Sequence, residues 1–116
     1  RDIASIYLRE ISNSSITLPN VFESIDSVWH LFVIRHKNRD FLQRTLADMG
    51  VGTMIHYPIP PHKQCAYSEL DLGSQTFTIS EKLHREVLSL PIWPGMTNDQ
   101  VEYVANAVNS SLSFEC

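Results

Sequence analysis

Gly50-Val51-Gly52-Thr53-Met54-Ile55-His56-Tyr57-Pro58-Ile59-Pro60-Pro61-His62-Lys63-Gln64 runs from a short apolar segment into a loop carrying three prolines. Val51 to Tyr57 reads as a strand, and proline cannot donate to a sheet ladder, so the segment from Pro58 onward is expected to be extended, irregular loop. Gly50, just before the strand, supplies the left-handed stop of a helix. The buried stripe of that helix is Phe41, Leu42, Leu46 and Met49. At its start Asn38 can cap the free amides, and Asp40 is favourable near the positive end.

On the amino-terminal side, Val28 to Arg35 is a β-branched and aromatic run, apolar on both faces as in a strand covered on two sides. Ile3, Ile6, Tyr7 and Ile11 recur at helical spacing, and Ser12 to Ser15 then Pro19-Asn20 end that opening segment. An amphipathic helix packed partly on material outside this chain is expected there. Beyond the proline loop, Thr78 with Glu81 and Thr97 with Gln100 each match a capping box. The first precedes Leu83 and Val87, the second Val101, Val104 and Val108. Between them Leu88 to Ile92 reads as a third strand, closed by Trp93-Pro94-Gly95. Alternating strands and helices give an α+β layer around one small sheet, and residues 1–116 form one domain.

The chain's 116 residues are 43% apolar and 19% charged, the composition of an ordinary globular protein. A formal charge of -4 argues against a general nucleic-acid binder, which needs a basic face, yet leaves room for a local site for one phosphorylated ligand. No apolar run approaches the roughly 18 residues that span a bilayer, so no membrane partner is expected. The start at Arg1-Asp2-Ile3 has no signal-peptide layout and reads as the inside of a longer polypeptide. Cys65 and Cys116 form no CxxC pair, which fits a reducing, cytoplasmic setting.

Chemistry concentrates in the proline loop. His56, Tyr57, His62, Lys63 and Gln64, with Tyr67 beyond, bring imidazole, phenol, ammonium and amide groups onto a stiff segment, and rigidity limits the entropy lost on holding a ligand. If the strand continues through His56 and Tyr57, their side chains point to opposite faces and do not address one ligand atom. The plainer readings stand beside this one: a hydrogen-bonded structural histidine, core aromatics with hydroxyls at the surface, and Lys63 as a solvated charge. His56 and His62 lie six apart across prolines, unlike the i, i+4 pair a helix offers zinc, and no acidic or thiolate cluster completes a ligand set. Nucleophile-elbow, GxGxxG and Walker-type patterns are absent. The residues alone support an α+β domain with one polar, proline-stiffened loop.

The same loop resembles the "G-I-x-T-x-I-H-Y-P-x-P-x-H-x-Q" stretch of the DegT/DnrJ/EryC1/StrS sugar aminotransferase family. Trp29 to Arg35 is similar to that family's strand leading into the first helix of its small domain. Glu86-Val87-Leu88-Ser89-Leu90-Pro91 followed by Pro94-Gly95-Met96-Thr97 resembles its "E-x-L-S-L-P-x-x-P-x-L-T" segment, and the helix from Asp99 to Asn109 fits as well. The likeness runs in one order over nearly the whole chain.

This resemblance implies the carboxy-terminal small domain of an aspartate-aminotransferase-like (type I PLP) fold, with a short, mostly antiparallel sheet and flanking helices. It implies an enzyme that takes an amino group from glutamate and passes it, through pyridoxal phosphate (PLP), to a nucleotide-linked keto-sugar. The Schiff-base lysine would lie in the large domain, so Lys37, Lys63 and Lys82 are not candidates and no residue of this chain is assigned to the cofactor or to catalysis. His56 and Tyr57 become the leading contacts to the sugar-nucleotide, with His62, Lys63 and Gln64 at the same rim. The Ile59-Pro60-Pro61-His62-Lys63 form of the loop leans toward amino-dideoxyhexoses on a dTDP carrier, and a homodimer is implied. Relatives of other outcome, dehydration or regulation, share the fold. The competing readings are a self-standing binding or regulatory module and a dimerisation domain; a large exposed apolar patch on the first helix would favour truncation or dimerisation over a free module.

Overall fold

The computed structural model describes residues 1–21, 27–70 and 72–111. Four helices and two strands carry the fold: α1 (Asp2–Glu10), β1 (Phe32–Arg35), α2 (Arg39–Asp48), α3 (Thr78–Glu86), β2 (Val87–Leu90) and α4 (Asn98–Ser110). Short 3-10 turns at Pro61–Lys63, Cys65–Leu70 and Leu72–Ser74 link the proline loop to α3. β1 and β2 pair antiparallel, Phe32 opposite Leu90 and Arg35 opposite Val87. Single bridges extend the pair on either side, Thr17 to Arg35 and Met54 to Ser89. The short antiparallel sheet and flanking helices expected for the small domain are therefore present.

Alternation along the strands decides which side is core. Phe32, Ile34, Leu88 and Leu90 are buried on one face. There they meet Leu42 and Leu46 of α2, Ala4, Ile6 and Tyr7 of α1, and Val101, Val104 and Val108 of α4 in one cluster. The Tyr7 ring tilts against Phe32 with centroids 4.9 Å apart, and its hydroxyl donates to the Pro91 carbonyl at 2.7 Å. Burial pushes the Tyr7 phenol upward, so it stays protonated and a donor.

Helix ends are tied by side chains from other elements. Asn109 of α4 accepts from the amides of Ser12 and Asn13 and donates to the Glu10 carbonyl at 2.9 Å, which closes α1. Tyr103 donates to Met49 O at 2.8 Å beyond α2. The buried Arg39 donates through Nη1 to Val87 O at 3.0 Å and to His84 O, closing α3. A cation at a helix C-terminus meets both the free carbonyls and the negative end of the dipole.

Several expectations require correction. The strand expected from Val28 begins only at Phe32. Trp29 takes φ 48°, which breaks the extended path, and Val28 is 83% exposed. The strand expected over Val51 to Tyr57 is reduced to the Met54 bridge. Thr78 does not cap α3: Phe77 is the N-cap residue, no side chain caps it, and Thr78 lies inside the first turn. Asn38 is the N-cap of α2 but makes no cap hydrogen bond either. The opening helix buries Ala4, Ile6 and Tyr7, chiefly against α4 within this chain, and large exposed apolar side chains stand at Val28, Ile79 and Leu70 among others. Thr97 and Gln100, in contrast, form the complete capping box. Cys116 lies outside the described residues, while Cys65 is free and exposed.

Candidate functional site

β2 presents Ser89 on the face away from the core, beside the incoming strand-like segment that ends at His56. Met54 and Ser89 exchange both backbone hydrogen bonds, at 2.8 and 3.2 Å. That pairing brings His56 over Ser89, and Nδ1 of the imidazole lies 2.7 Å from the serine Oγ. When the hydroxyl donates to Nδ1, Nε2 carries the ring proton and is a donor. No described residue takes up Nε2.

Directly after His56 the backbone turns. Tyr57 adopts φ 60°, a left-handed conformation uncommon outside glycine, asparagine and aspartate, and Pro58 then prevents any return to a ladder. The strict alternation that would have sent the two side chains to opposite faces is broken at this point. The rings of His56 and Tyr57 lie with centroids 6.3 Å apart, and Tyr57 is 74% exposed. A strained, exposed tyrosine beside a histidine anchored by a buried serine is an arrangement that packing alone does not require.

The other three loop candidates are placed differently. His62 is buried, its ring 4.6 Å from that of Phe77 and its Nε2 3.2 Å from the Glu81 carboxylate. Lys63 meets the same carboxylate at 3.0 Å, which replaces its reading as a free solvated charge. Gln64 donates to Ile59 O at 3.1 Å and thereby closes the proline loop on itself. His62 and Lys63 thus latch the loop to α3 and Gln64 fastens it to itself, while His56 and Tyr57 keep their outward groups unspent. Tyr67 is exposed on the following turn.

Glu81 is the centre of that latch. Hydrogen bonds from Lys63 and then from His62 hold its carboxyl below the usual carboxylate range. A depressed carboxylate stabilises the fold above its unfolded value of about 4.5, and the contribution is lost as pH falls through the folded value. Urea unfolding of wild type and Glu81→Gln should therefore differ at pH 7, wild type being the more stable, and the gap should close as pH falls below 4.5 through the folded value. A gap that persists unchanged into acid would remove the ion pairing as its cause.

Sequence alone does not single out Ser89 or Glu81 as site residues. Ser89 does carry a signal, one hydroxyl in the otherwise apolar Val87 to Ile92 run. Glu81 has the spacing of a capping-box member, and its actual role depends on a loop about twenty residues away. Among the described residues no group of three or more His, Cys, Asp or Glu could hold a metal. Lys63 is paired to Glu81, and Lys37 and Lys82 are exposed on the surface. No helix among the described residues is long and apolar enough to cross a membrane.

Residues 1–109 match the family described as the DegT/DnrJ/EryC1/StrS aminotransferase family. A dTDP-3-amino-3,6-dideoxy-alpha-D-galactopyranose transaminase from Aneurinibacillus thermoaerophilus is 52% identical over 109 residues, which is 94% of this chain and 30% of that protein. The solved structure of S. venezuelae DesV superposes with TM-score 0.82 at 34% identity, covering 93% of this chain and 29% of that one. NtdA from Bacillus subtilis, solved with bound cofactor PMP, gives TM-score 0.82 at 28% identity, over 97% of this chain and 27% of its own. The chain spans about 30% of the length of the curated relative.

Proposed function

Because the chain belongs to the DegT/DnrJ/EryC1/StrS aminotransferase family, we propose that it is the carboxy-terminal small domain of a PLP-dependent nucleotide-sugar aminotransferase. The donor is glutamate and the acceptor a keto-deoxyhexose on a nucleotide diphosphate, in this reading a dTDP carrier. The transaminase from A. thermoaerophilus, whose name specifies a dTDP-amino-dideoxyhexose, supports that choice of acceptor. PLP supplies the electron sink when bound by the larger part of the enzyme, and PMP in the NtdA structure supports that cofactor. The product serves cell-surface polysaccharide or secondary-metabolite synthesis in the cytoplasm, and the active unit is a homodimer.

The observation that carries the site is the anchored imidazole. With Nδ1 held by Ser89 Oγ at 2.7 Å, His56 offers Nε2 as a donor when the serine hydroxyl donates to Nδ1, and the exposed Tyr57 ring lies with its centroid 6.3 Å away. An anchored imidazole and an exposed phenol suit diphosphate or hexose oxygens, since bonds to charged oxygens are stronger than neutral ones. Lys63, 46% exposed, can add a cation at the rim, while His62 and Gln64 shape the loop that carries them. The test is amino transfer from glutamate to a dTDP-keto-hexose by the full-length protein, followed with PLP absorbance. Cofactor binding with transfer supports the reading; binding without transfer would leave the fold and discard the reaction. A full-length protein that binds no PLP would leave a binding, regulatory or dimerisation module.

A further inference from the structure

A second cleft, of about 450 Å³, opens where β1 ends and α2 begins, and nothing in the transferase reading uses it. Arg35, Lys37 and Lys82 stand around it against one carboxylate, Glu86, in a chain whose formal charge is -4. Lys82 reaches Glu86 only at 4.0 Å and Arg35 Nε only at 3.8 Å, so neither is locked into a close pair. Arg35 Nε is buried with no hydrogen-bond partner among the described residues, while 36% of the Arg35 side chain remains exposed. Asn38, on the same wall, leaves the first-turn amides of α2 without a side-chain cap. Ser14, Ser15 and Thr17 also line it.

We propose that this cleft binds a phosphate group. An unmet guanidinium donor and two further cations facing one carboxylate favour the same partner, a compact oxyanion with several acceptor oxygens. A planar guanidinium matches phosphate through parallel N–H donors, and lysine supports it as a point charge. Glu86 opposes an anion but is outnumbered, and a phosphate seated between Arg35 and Lys82 takes over its two long ion pairs. The volume lies within the range of small-molecule sites, so the phosphate can be free or part of a larger metabolite. This cleft and its residues are separate from those of the transferase reading, so either can stand without the other.

The experiment is isothermal titration calorimetry on the full-length protein as purified, at constant ionic strength. Inorganic phosphate is one probe and dTDP the other, each against wild type and four variants. Arg35→Gln should weaken binding of the accepted probe at least tenfold, and Lys37→Gln and Lys82→Gln about threefold each. Glu86→Gln should tighten it several-fold, a change in the direction opposite to simple loss of structure. The two lysines are exposed, so their substitution tests the charge even where Arg35→Gln disturbs the sheet edge. Inorganic phosphate responding to these variants assigns a free phosphate group; dTDP alone responding assigns a nucleotide diphosphate. Absence of binding, or binding that none of the variants alters, overturns the proposal.

Discussion

Phe32→Ala should lower the free energy of unfolding by about 3–5 kcal/mol, the range for removing a fully buried aromatic ring. Phe32 has no exposed surface and stands at the start of β1, on the core face. Its ring lies 4.9 Å from Tyr7 and 5.3 Å from Trp29, so one substitution empties the contact among α1, the segment before β1 and the sheet. Lost aromatic pairing adds about 0.5–1.5 kcal/mol to the loss of buried area. Val33→Ala is the control, because Val33 is only half-buried on the opposite face and should cost about 1 kcal/mol or less. Urea unfolding followed by tryptophan fluorescence reports both, since Trp29 is part of the cluster. The Tyr7→Phe variant leaves Pro91 O without its donor but keeps the ring against Phe32, so its cost tests the hydroxyl bond separately from the ring packing. A Phe32→Ala cost near that of Val33→Ala would mean that β1 does not present this face to the core.

Features written in neighbouring residues were legible in the sequence. Gly50 ends α2 with φ 76°, as its lack of a Cβ permits, and the Thr97–Gln100 capping box starts α4 because both partners lie within one turn. The order of elements followed from the same local signals. Misreadings arose where a local pattern competed with distant contacts. Val28 to Leu31 has strand composition, but Trp29 is drawn toward Phe32 and turns the backbone out of line. Thr78 and Glu81 have capping-box spacing, yet the Glu81 side chain is engaged by Lys63 and His62 instead. His62 could not be told from His56 by sequence. What separates them is α3, which folds back to bury one and leaves the other beside Ser89.

His56→Ala in the full-length enzyme should reduce kcat/KM for the keto-sugar by about 10- to 100-fold, the equivalent of one hydrogen bond to a charged or developing charge. Most of the loss should appear in kcat if the contact strengthens during transfer, and in KM if it serves only to hold the ground state. Ser89→Ala tests how the imidazole is positioned. It removes the partner of Nδ1 and frees the ring to rotate, so it should cause a smaller loss of about 3- to 10-fold, and add little once His56 is absent. Tyr57→Phe retains the ring and deletes only the hydroxyl, so it isolates the second donor. Tyr57→Gly relaxes the left-handed backbone and should raise stability slightly while lowering activity further than Tyr57→Phe. His62→Ala should behave in the reverse sense, costing stability through the Glu81 latch more than it costs transfer. This contrast separates the two histidines by measurement, because a loop acting only as scaffold would make both substitutions look like His62→Ala. Losses in transfer that track losses in stability across the whole set would remove His56 and Tyr57 from the site; losses at His56 and Tyr57 without a stability change would place the sugar-nucleotide against them.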